Sequence, residues 1–390
     1  MSYRLSGLLA RVAAPPIPEA RRWLAPDRHG PDRPLIDLSQ AVPGYPPPKE
    51  LTRHLALRLD DPQTQRYTDI EGLPALRLAL ARHMSQCYGA RVAAQQVCIT
   101  AGCNQAFCLA LMALAEPGEN VLLPVPYYFN HQMWLDMLGI GTVHLPFRPE
   151  HGGVPDAAEA ARRITPKTRA IVLVSPNNPT GAVYPPDALA AFYSLAKQRN
   201  LALVIDETYK DFLPGDDKPH RLFEDPKWSD TLVQLYSFSK VYCLTGYRVG
   251  SVIAGGRLLA EIAKAMDCVA ICAPHIGQEA ALYGLGRLEA WRRANTGLMR
   301  ERAQALAQSF EGANHGYRLV SLGAYFAYLQ HPFEGTPAID VAKRLAGEQN
   351  LLSLPGSMFG PEQERYLRFA FANVPAEAMG HVRKRLEASL

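Results

Sequence analysis

The sequence has 390 residues, of which 48% are hydrophobic, so the chain is long enough to bury a large core and to form two domains. Its 41 basic and 37 acidic residues give a net charge of +4 and are mixed along the chain, which argues against a nucleic-acid or polybasic membrane-binding segment. No apolar stretch reaches the roughly 18 residues that a membrane span needs, and residues 1–20 lack the long apolar core of an export signal. We therefore expect a cytoplasmic protein with no nucleic-acid and no membrane partner.

The seven cysteines are an odd number, and they include no CxxC pair and no Cys/His spacing typical of metal ligands. Cys268 and Cys272 lie four residues apart in an apolar, helix-like stretch, where free cysteines pack as small hydrophobic side chains. We expect reduced thiols and no metal site.

The first 50 residues are rich in proline, which excludes long regular elements there, apart from a short N-terminal helix. We expect this segment to wrap over another part of the chain.

Farther along the chain, short apolar or β-branched runs alternate with helical patterns. The runs are Val97–Thr100, Val121–Leu123, Thr142–Leu145, Ala170–Val174, Ala202–Ile205, Leu232–Tyr236 and Val249–Ile253. This alternation predicts an α/β fold with a mostly parallel sheet that helices cover on both faces. In such sheets ligands bind at the carboxyl ends of the strands, where we look for functional residues.

The pattern changes near Ala280 to a long helix rich in arginine and alanine, followed by the isolated strands Ala324–Leu329 and Leu367–Phe371. This change predicts a second, smaller α+β domain.

The first motif follows the first predicted strand. Gly102, Cys103 and Asn104 join that strand to an apolar helix, where the free backbone N–H groups and the helix dipole favour a phosphate. Glycine is common in such turns, so this indication is weak alone. Tyr127 and Tyr128 follow the next strand, and their rings either stack on a flat ligand or pack in the core.

Two further motifs place polar groups at strand ends. Asn178 lies in the turn Ser175-Pro-Asn-Asn-Pro-Thr-Gly181, which is either a ligand contact or a purely structural turn. Asp206 ends a buried strand, with Tyr209 three residues later. A carboxylate there is costly unless it meets a cation or a protonated heterocycle, and the alternative is a helix N-cap.

Lys240 lies in Ser237-Phe-Ser-Lys240 after another strand, and Arg248 follows eight residues later. A lysine at a strand end can form an imine while a nearby arginine neutralises a phosphate. A single lysine is usually a surface residue, but its place after the other motifs favours a functional role.

In this order the motifs Asn-Pro-Thr-Gly, Asp-x-x-Tyr, Ser-x-x-Lys and a downstream arginine resemble those of the class I and II aminotransferases, the fold-type I pyridoxal-phosphate enzymes, over nearly the whole chain. The resemblance implies a large cofactor-binding domain over residues 51–280 with a mostly parallel seven-stranded sheet, and a small α+β domain over residues 281–390. Residues 1–50 would join the small domain and cover the active site.

The resemblance also implies the activity. Such an enzyme is an aminotransferase (transaminase) of amino acid metabolism that moves an amino group between an L-amino acid and a 2-oxo acid, with pyridoxal 5′-phosphate as cofactor. Lys240 would hold the cofactor as a Schiff base, Asp206 would pair with the pyridinium nitrogen, and Tyr209 and Asn178 would bond the phenolate oxygen. The phosphate is assigned to Gly102, Cys103, Asn104, Ser237 and Arg248, and the ring to Tyr128.

The resemblance also implies roles for residues that contact the substrate or the partner subunit. Tyr67 is similar to the family tyrosine that reaches the phosphate of the neighbouring subunit, which implies a homodimer with shared active sites; otherwise it is an ordinary aromatic residue before a helix. Arg368 is similar to the arginine that binds the substrate α-carboxylate, with a surface strand arginine as the alternative. Asn178 and Gly44 complete the implied substrate contacts. His131 has the spacing of a histidine behind the aspartate, or is a plain helix histidine.

The sequence departs from the common family pattern at two places. Cys103 and Asn104 stand in a turn where glycine, serine or threonine is frequent, and Ala41 stands in the loop before Gly44 where many relatives carry glycine. Backbone donors can still serve in the first case.

The same residues also serve β-eliminating lyases and some amino-acid oxidising enzymes of this fold, and a non-catalytic cofactor-binding domain is a further alternative. The aromatic residues around Tyr45, Tyr127 and Tyr325 favour an apolar or aromatic substrate. The sequence leaves the amino acid and the oxo acid open.

Overall fold

The computed structural model describes residues 3–25, 29–312 and 316–390, so that Pro26 of the predicted proline-rich segment lies outside the described residues. The helices are α1 (Gly7–Ala10), α2 (Pro16–Arg21), α3 (Lys49–Leu59), α4 (Pro74–Tyr88), α5 (Cys103–Leu114), α6 (Phe129–Leu138), α7 (Ala157–Arg163), α8 (Pro186–Gln198), α9 (Phe238–Val241), α10 (Gly256–Ala270), α11 (His275–Arg287), α12 (Glu289–Gln308), α13 (Ala338–Gln349) and α14 (Met379–Glu387). The strands are β1 (Ile36–Asp37), β2 (Val97–Thr100), β3 (Asn120–Pro124), β4 (Gly141–Leu145), β5 (Thr168–Val174), β6 (Ala202–Asp206), β7 (Leu232–Ser237), β8 (Gly250–Ile253), β9 (Arg318–Gly323), β10 (Phe326–Gln330), β11 (Leu351–Leu352), β12 (Leu354–Pro355) and β13 (Tyr366–Ala370).

The main sheet has the strand order β2-β8-β7-β6-β5-β3-β4 within the described part of the chain. Its strands run parallel except β8, which is antiparallel to both β2 and β7. The predicted strands and the α/β fold class are therefore confirmed, with the strand ends shifted by one or two residues. The buried runs in β5, β6 and β7 lack polar alternation, as expected for a parallel sheet that is covered on both faces.

The parallel register determines where the site lies. Val174 at the end of β5 is paired with Asp206 at the end of β6, and Asp206 is paired with Leu235 near the end of β7. The turns that follow these strands therefore leave the sheet at the same edge.

The second sheet is antiparallel with the order β12-β13-β10-β9, and it shares a core with α12, α13 and α14. Both predicted strands in this region are confirmed with small shifts, but β9 and β12 were not predicted. The predicted long helix rich in arginine and alanine is α12, but it begins at Glu289 rather than near Ala280, because Leu288, whose φ of −107° and ψ of 22° lie outside the helical range, separates it from α11. Glycines 284 and 286 weaken the last turns of α11, which favours a break there.

The N-terminal segment wraps over other parts of the chain, as its proline content suggested. After the short helices α1 and α2, β1 pairs in parallel with β11. Helix α11 runs across residue 280, and the domain boundaries near residues 50 and 280 stay a prediction.

None of the described helices combines the length and the apolar character that a membrane crossing requires.

Gly181 ends the turn after Asn178, where the backbone packs closely against Phe326 and Gly323 of the second sheet. A variant at this glycine tests that close packing. Its φ is +75°, and a Cβ atom would lie 2.3 Å from the carbonyl oxygen of Phe326 and 2.5 Å from the backbone nitrogen of Gly323. We expect Gly181→Ala to lower the free energy of unfolding by about 2 to 5 kcal/mol, since the left-handed backbone costs about 1–2 kcal/mol and overpacking about 1–3 kcal/mol. Denaturant unfolding measures this change.

The matched control is Gly118→Ala. Gly118 has a φ of +88° but no heavy atom within 4 Å of the added Cβ, so only the backbone term applies. Equal losses of stability in the two variants would contradict the proposed clash.

Candidate active site

A cavity of about 160 Å³ opens where β5, β6 and β7 end. Its walls are formed by Cys103, Asn104, Tyr128, Val174, Asn178, Asp206, Thr208, Tyr209, Ser237, Ser239, Lys240, Thr245 and Arg248. The structure thus brings together residues from motifs that are far apart in the sequence, because the parallel strands end at one edge of the sheet.

Lys240 is presented to the cavity by the short helix α9. The hydroxyl of Ser237 caps this helix by accepting a hydrogen bond from the backbone nitrogen of Ser239 at 3.2 Å. The ammonium group of Lys240 donates to the carbonyl oxygen of Ala41 at 2.6 Å. Burial, together with the charges of Arg248 and Arg368, lowers the pKa of Lys240 to about 8. The uncharged, nucleophilic amine is therefore more abundant near neutral pH than for an ordinary lysine.

Asp206 is a buried carboxylate at the end of β6. Its Oδ1 atom accepts a hydrogen bond from the backbone nitrogen of Thr208 at 2.9 Å, and its Oδ2 atom lies 3.3 Å from Nε2 of His131. Burial alone would raise the pKa of Asp206, but the contacts with His131 and Thr208 outweigh it and lower the pKa below its usual value. Asp206 is therefore an anion that faces the cavity.

His131, on α6, lies directly behind this carboxylate. Its ring is 1% exposed and stacks on Phe107, with 3.9 Å between the ring centroids. Of the two interpretations of this histidine, the structure favours contact with Asp206 over a plain helix residue.

The N-terminus of α5 forms a second wall of the cavity. Gly102 precedes the helix with a φ of +86°, and a Cβ atom there would lie only 2.2 Å from Nη2 of Arg248. The guanidinium of Arg248 is held by the carbonyl oxygen of Thr245 at 2.9 Å and the hydroxyl of Ser239 at 3.4 Å. A helix N-terminus beside a fixed guanidinium suits an anion such as a phosphate.

The side chains on this wall are neutral donors. Burial raises the pKa of the Cys103 thiol well above its usual value, so the thiol stays protonated. Tyr128 donates from its hydroxyl to Oδ1 of Asn104 at 3.4 Å, and burial raises its pKa to about 12. Its ring meets the His131 ring edge-on, at 5.2 Å between the centroids.

Tyr209, three residues after Asp206, also lines the cavity. Its ring packs against Tyr325 at 5.3 Å and Phe326 at 5.1 Å between centroids. Burial raises the pKa of the phenol well above its usual value. The phenol of Tyr209 is therefore neutral.

Arg368, on β13, is a buried cation beside the cavity with 2% exposure, which excludes the surface-strand alternative. It donates to Oδ1 of Asn178 at 3.3 Å and to the carbonyl oxygen of Ser39, and its Nε atom has no partner within the described ranges. The guanidinium lies 5.3 Å from the ring centroid of Phe326 and 4.9 Å from that of Phe359. Burial lowers the pKa of Arg368 to about 10. A buried arginine bonded to neutral oxygens can accept a carboxylate as its counterion.

Two predicted residues are not brought to the cavity of this chain. Tyr67 lies at the surface and is 76% exposed. Gly44 packs elsewhere, because a Cβ on it would lie 2.8 Å from Cα of Asn373 and 2.9 Å from Nη1 of Arg302. From the same N-terminal loop, the carbonyl oxygens of Ser39 and Ala41 reach the site instead.

Sequence reasoning missed three hydroxyl residues that line the cavity, Thr208, Ser239 and Thr245. Each lies inside or next to a motif that was identified, between Asp206 and Tyr209, before Lys240 and before Arg248. Their positions could have indicated them, whereas the backbone contacts of Ser39 and Ala41 have no sequence signal.

Several known proteins are similar to this chain over most of its length. An aspartate aminotransferase of Pyrococcus horikoshii is 27% identical over 90% of this chain and 91% of its own length, and an aromatic aminotransferase of Arabidopsis thaliana is 27% identical over 91% and 89%. An arginine–pyruvate transaminase of Pseudomonas aeruginosa is 30% identical over 77% of each chain.

Solved structures of the same fold agree with these relatives. The structure of a single mutant of Thermus thermophilus aspartate aminotransferase superposes with a TM-score of 0.91 at 25% identity and covers 100% of both chains. A tetra mutant of that enzyme, complexed with tryptophan, gives a TM-score of 0.90. The family model described as aminotransferase class I and II matches residues 33–386, and the chain therefore belongs to the class I and II aminotransferases.

Proposed function

We propose that this chain uses pyridoxal 5′-phosphate, held by Lys240, to move an amino group between an L-amino acid and a 2-oxo acid. The observation that carries the proposal is the meeting of three groups in one cavity. These are an amine with a pKa of about 8 at Lys240, an ionised carboxylate at Asp206, and the anion-binding wall of Gly102 and Arg248.

The donor set fits the cofactor group by group. The N-terminus of α5 at Gly102, Cys103 and Asn104, together with Ser237 and Arg248, would hold the phosphate. Asp206 would pair with the protonated ring nitrogen, which supplies the cationic partner that a buried carboxylate needs. Tyr128 would lie against the ring.

The amide of Asn178 supports its assignment to the phenolate oxygen. Its Oδ1 atom accepts a hydrogen bond from Arg368, so its NH₂ group is left to donate. Tyr209 is a neutral phenol and also donates. Two neutral donors at one place suit an oxygen that carries negative charge.

When bound, the cofactor supplies a ring that accepts electron density from the substrate α-carbon. Asp206 keeps a proton on the ring nitrogen, which favours that electron flow. The amine of Lys240, once the substrate has displaced it from the cofactor, would carry a proton between the substrate α-carbon and the cofactor. Its pKa of about 8 lies close to neutral pH, where a group can both accept and donate a proton.

Arg368 and the N-terminal loop would orient the substrate. The planar guanidinium of Arg368 would bind the α-carboxylate through two parallel hydrogen bonds and fix the direction of the reacting bond. The loop that contains Ser39, Ala41 and Gly44 lies over the site and would exclude water. Its carbonyl oxygens accept hydrogen bonds from Lys240 and Arg368, and these bonds would break when the substrate binds.

Three wider assignments complete the proposal. Residues 51–280 would form the large domain, residues 281–390 the small domain, and residues 1–50 the covering segment; separate hydrophobic cores around the two sheets support this division. Tyr67, exposed in the single chain, would serve the phosphate of the neighbouring subunit in a homodimer. We place the enzyme in the cytoplasm, where its free cysteines would stay reduced.

Amino-donor screening tests the activity. Each L-amino acid is mixed with the cofactor-loaded protein, the bleaching of the cofactor absorption is followed, and products are assayed with and without a 2-oxo acid. An aminotransferase converts donor and acceptor in equal amounts. Release of ammonia and pyruvate without an acceptor indicates a β-eliminating lyase, oxygen consumption indicates an oxidising enzyme, and no product from any donor leaves only a binding protein.

The lowered pKa of Lys240 predicts a pH dependence for cofactor capture. Only the uncharged amine attacks the aldehyde. Because the pKa of Lys240 is about 8, this amine becomes the major form when the pH rises above that value. We expect the rate at which cofactor-free protein captures pyridoxal phosphate to rise between pH 7 and pH 9 with a midpoint near 8, measured by stopped-flow absorbance. Lys240→Ala is expected to form no bond that borohydride can fix.

The control for this prediction changes a neighbouring charge. Arg368→Gln removes a positive charge that disfavours the ammonium form, so the midpoint moves to higher pH, whereas Arg368→Lys keeps the charge and the midpoint. A midpoint above pH 10 in the unaltered protein, or a covalent adduct in Lys240→Ala, would refute the assignment.

The shared site predicts complementation between two inactive variants. If Tyr67 acts in the neighbouring subunit, Tyr67→Phe weakens cofactor binding by about 10- to 100-fold, as for loss of one hydrogen bond to a charged group. In a heterodimer of Tyr67→Ala and Lys240→Ala chains, one site carries both lesions and the other carries neither. We expect activity to return after subunit exchange, measured by the transamination assay.

Mixing Lys240→Ala with Asp206→Ala chains is the matched control, because both lesions would lie in the chain that owns the site and no intact site can form. Heterodimers of the Tyr67 and Lys240 variants that stay inactive, or a fully active monomer in sedimentation, would mean that Tyr67 has no role across subunits.

A further inference from the structure

Asp211 is a buried carboxylate that does not line the cavity, and the chemistry described above does not use it. We propose that Asp211 is a positioning residue that fixes the phenol of Tyr209 relative to Lys240 by tying their two chain segments together. This inference rests on the proposed function and adds a residue to it.

The contacts of Asp211 join three elements. Its Oδ2 atom accepts a hydrogen bond from the hydroxyl of Tyr236, on β7, at 2.8 Å. Its Oδ1 atom lies 3.3 Å from the ammonium of Lys210 and 3.5 Å from Nη1 of Arg292, on α12. Its backbone carbonyl accepts a hydrogen bond from the hydroxyl of Thr296, also on α12, at 2.9 Å. The Asp211 side chain is 2% exposed, so its bonds to Tyr236 and Lys210 are shielded from bulk solvent.

Asp211 lies close in the chain to Tyr209, and its partner Tyr236 lies close to Lys240. Tyr209 begins the 3-10 turn Lys210–Phe212, and its carbonyl oxygen accepts from the backbone nitrogen of Phe212 at 3.0 Å. On the other side, Tyr236 lies four residues before Lys240 and immediately before the cap of α9 at Ser237. The carboxylate therefore joins the turn that carries the phenol to the strand that leads to the lysine.

The charges around Asp211 make this link rigid. Lys210 and Arg292 are the cations that face it, and Lys210 also lies 4.6 Å from the ring centroid of Tyr236. His83, from α4, lies with Nε2 3.3 Å from the Lys210 ammonium. Burial and the charge of Lys210 lower the pKa of His83 to about 4, so this imidazole is neutral.

The remaining groups near this cluster do not replace Asp211. Glu289 pairs with Arg292 from the outer side, and Glu207 interacts with Lys210 only at longer range. Burial would raise the pKa of Asp211, but the charges of Lys210 and Arg292 lower it below the usual value. Loss of the Asp211 charge would leave the buried Lys210 without its close counterion, and the turn would move to rehydrate it.

The test is Asp211→Asn, which keeps the side-chain shape and removes the charge. The readout is the pH midpoint at which the absorption of the lysine-bound cofactor changes, because the phenol of Tyr209 would lower that midpoint. We expect Asp211→Asn to raise it by about 0.5 to 1 unit, the size of one hydrogen bond's effect on a titration. Tyr236→Phe, which removes a single hydrogen bond to Asp211, is expected to give a smaller shift in the same direction. This variant tests the same link if Asp211→Asn does not fold.

A double-mutant cycle distinguishes positioning from general damage. In the Tyr209→Phe background, Asp211→Asn is expected to cause no further shift, since the phenol through which it acts is absent. Asp225→Asn is the matched control, because Asp225 also accepts from a tyrosine hydroxyl, that of Tyr193 at 2.9 Å, and pairs with Lys197, but contacts neither segment of the site. It is expected to leave the midpoint unchanged.

The outcomes separate this inference from the proposed function. If the unaltered chain forms no covalent bond with pyridoxal phosphate, the proposed function falls and the role of Asp211 with it. If it does form that bond, an unshifted midpoint in folded Asp211→Asn and Tyr236→Phe, or an equal shift with and without the Tyr209 phenol, would overturn the role of Asp211 alone.

Discussion

The parallel arrangement of β5, β6 and β7 is the constraint on which the site depends. These strands form the middle of a buried sheet, and their registers place Val174, Asp206 and Leu235 side by side. Because side chains alternate between the two faces, a shift by one residue would change the packing of the core on both faces and turn Asp206 away from the cavity. The stability of the core and the geometry of the site are thus set by the same packing.

The charge balance of the site follows from this arrangement. Lys240, Arg248 and Arg368 converge on the region around one ionised carboxylate, Asp206, so the described chain has an excess of positive charge there. Burying these cations is unfavourable, and the cost appears in two lowered pKa values: burial and the charges of Arg248 and Arg368 lower the pKa of Lys240, and burial lowers the pKa of Arg368. A ligand that carries a phosphate or a carboxylate removes part of that cost, and its binding therefore gains from repulsion already present in the protein.

Much of this arrangement was predictable from the sequence, and the exceptions have physical causes. The strands of the main sheet were predicted because short, continuous apolar runs between helical patterns are typical of buried parallel strands. Asp206 was found because a carboxylate at the end of a buried strand is costly without a cationic partner, and Lys240 was found because of its place after the other motifs. The break at Leu288 was missed because the helical pattern continues across it, and the network of Asp211 was missed because its partners come from distant segments. The contact between His131 and Asp206 was recognised only by its spacing, and it needed the fold to decide between two interpretations.

The N-terminal loop reaches Lys240 and Arg368 through main-chain carbonyl oxygens, those of Ala41 and Ser39. A main-chain contact is independent of the side chain at that position, provided that the backbone path is kept. Ala41 can therefore stand where many relatives carry glycine without loss of the contact. The side chain of residue 41 can therefore change while the loop stays attached to the site, which makes this position, rather than the buried Ser39, a suitable one to vary by directed evolution.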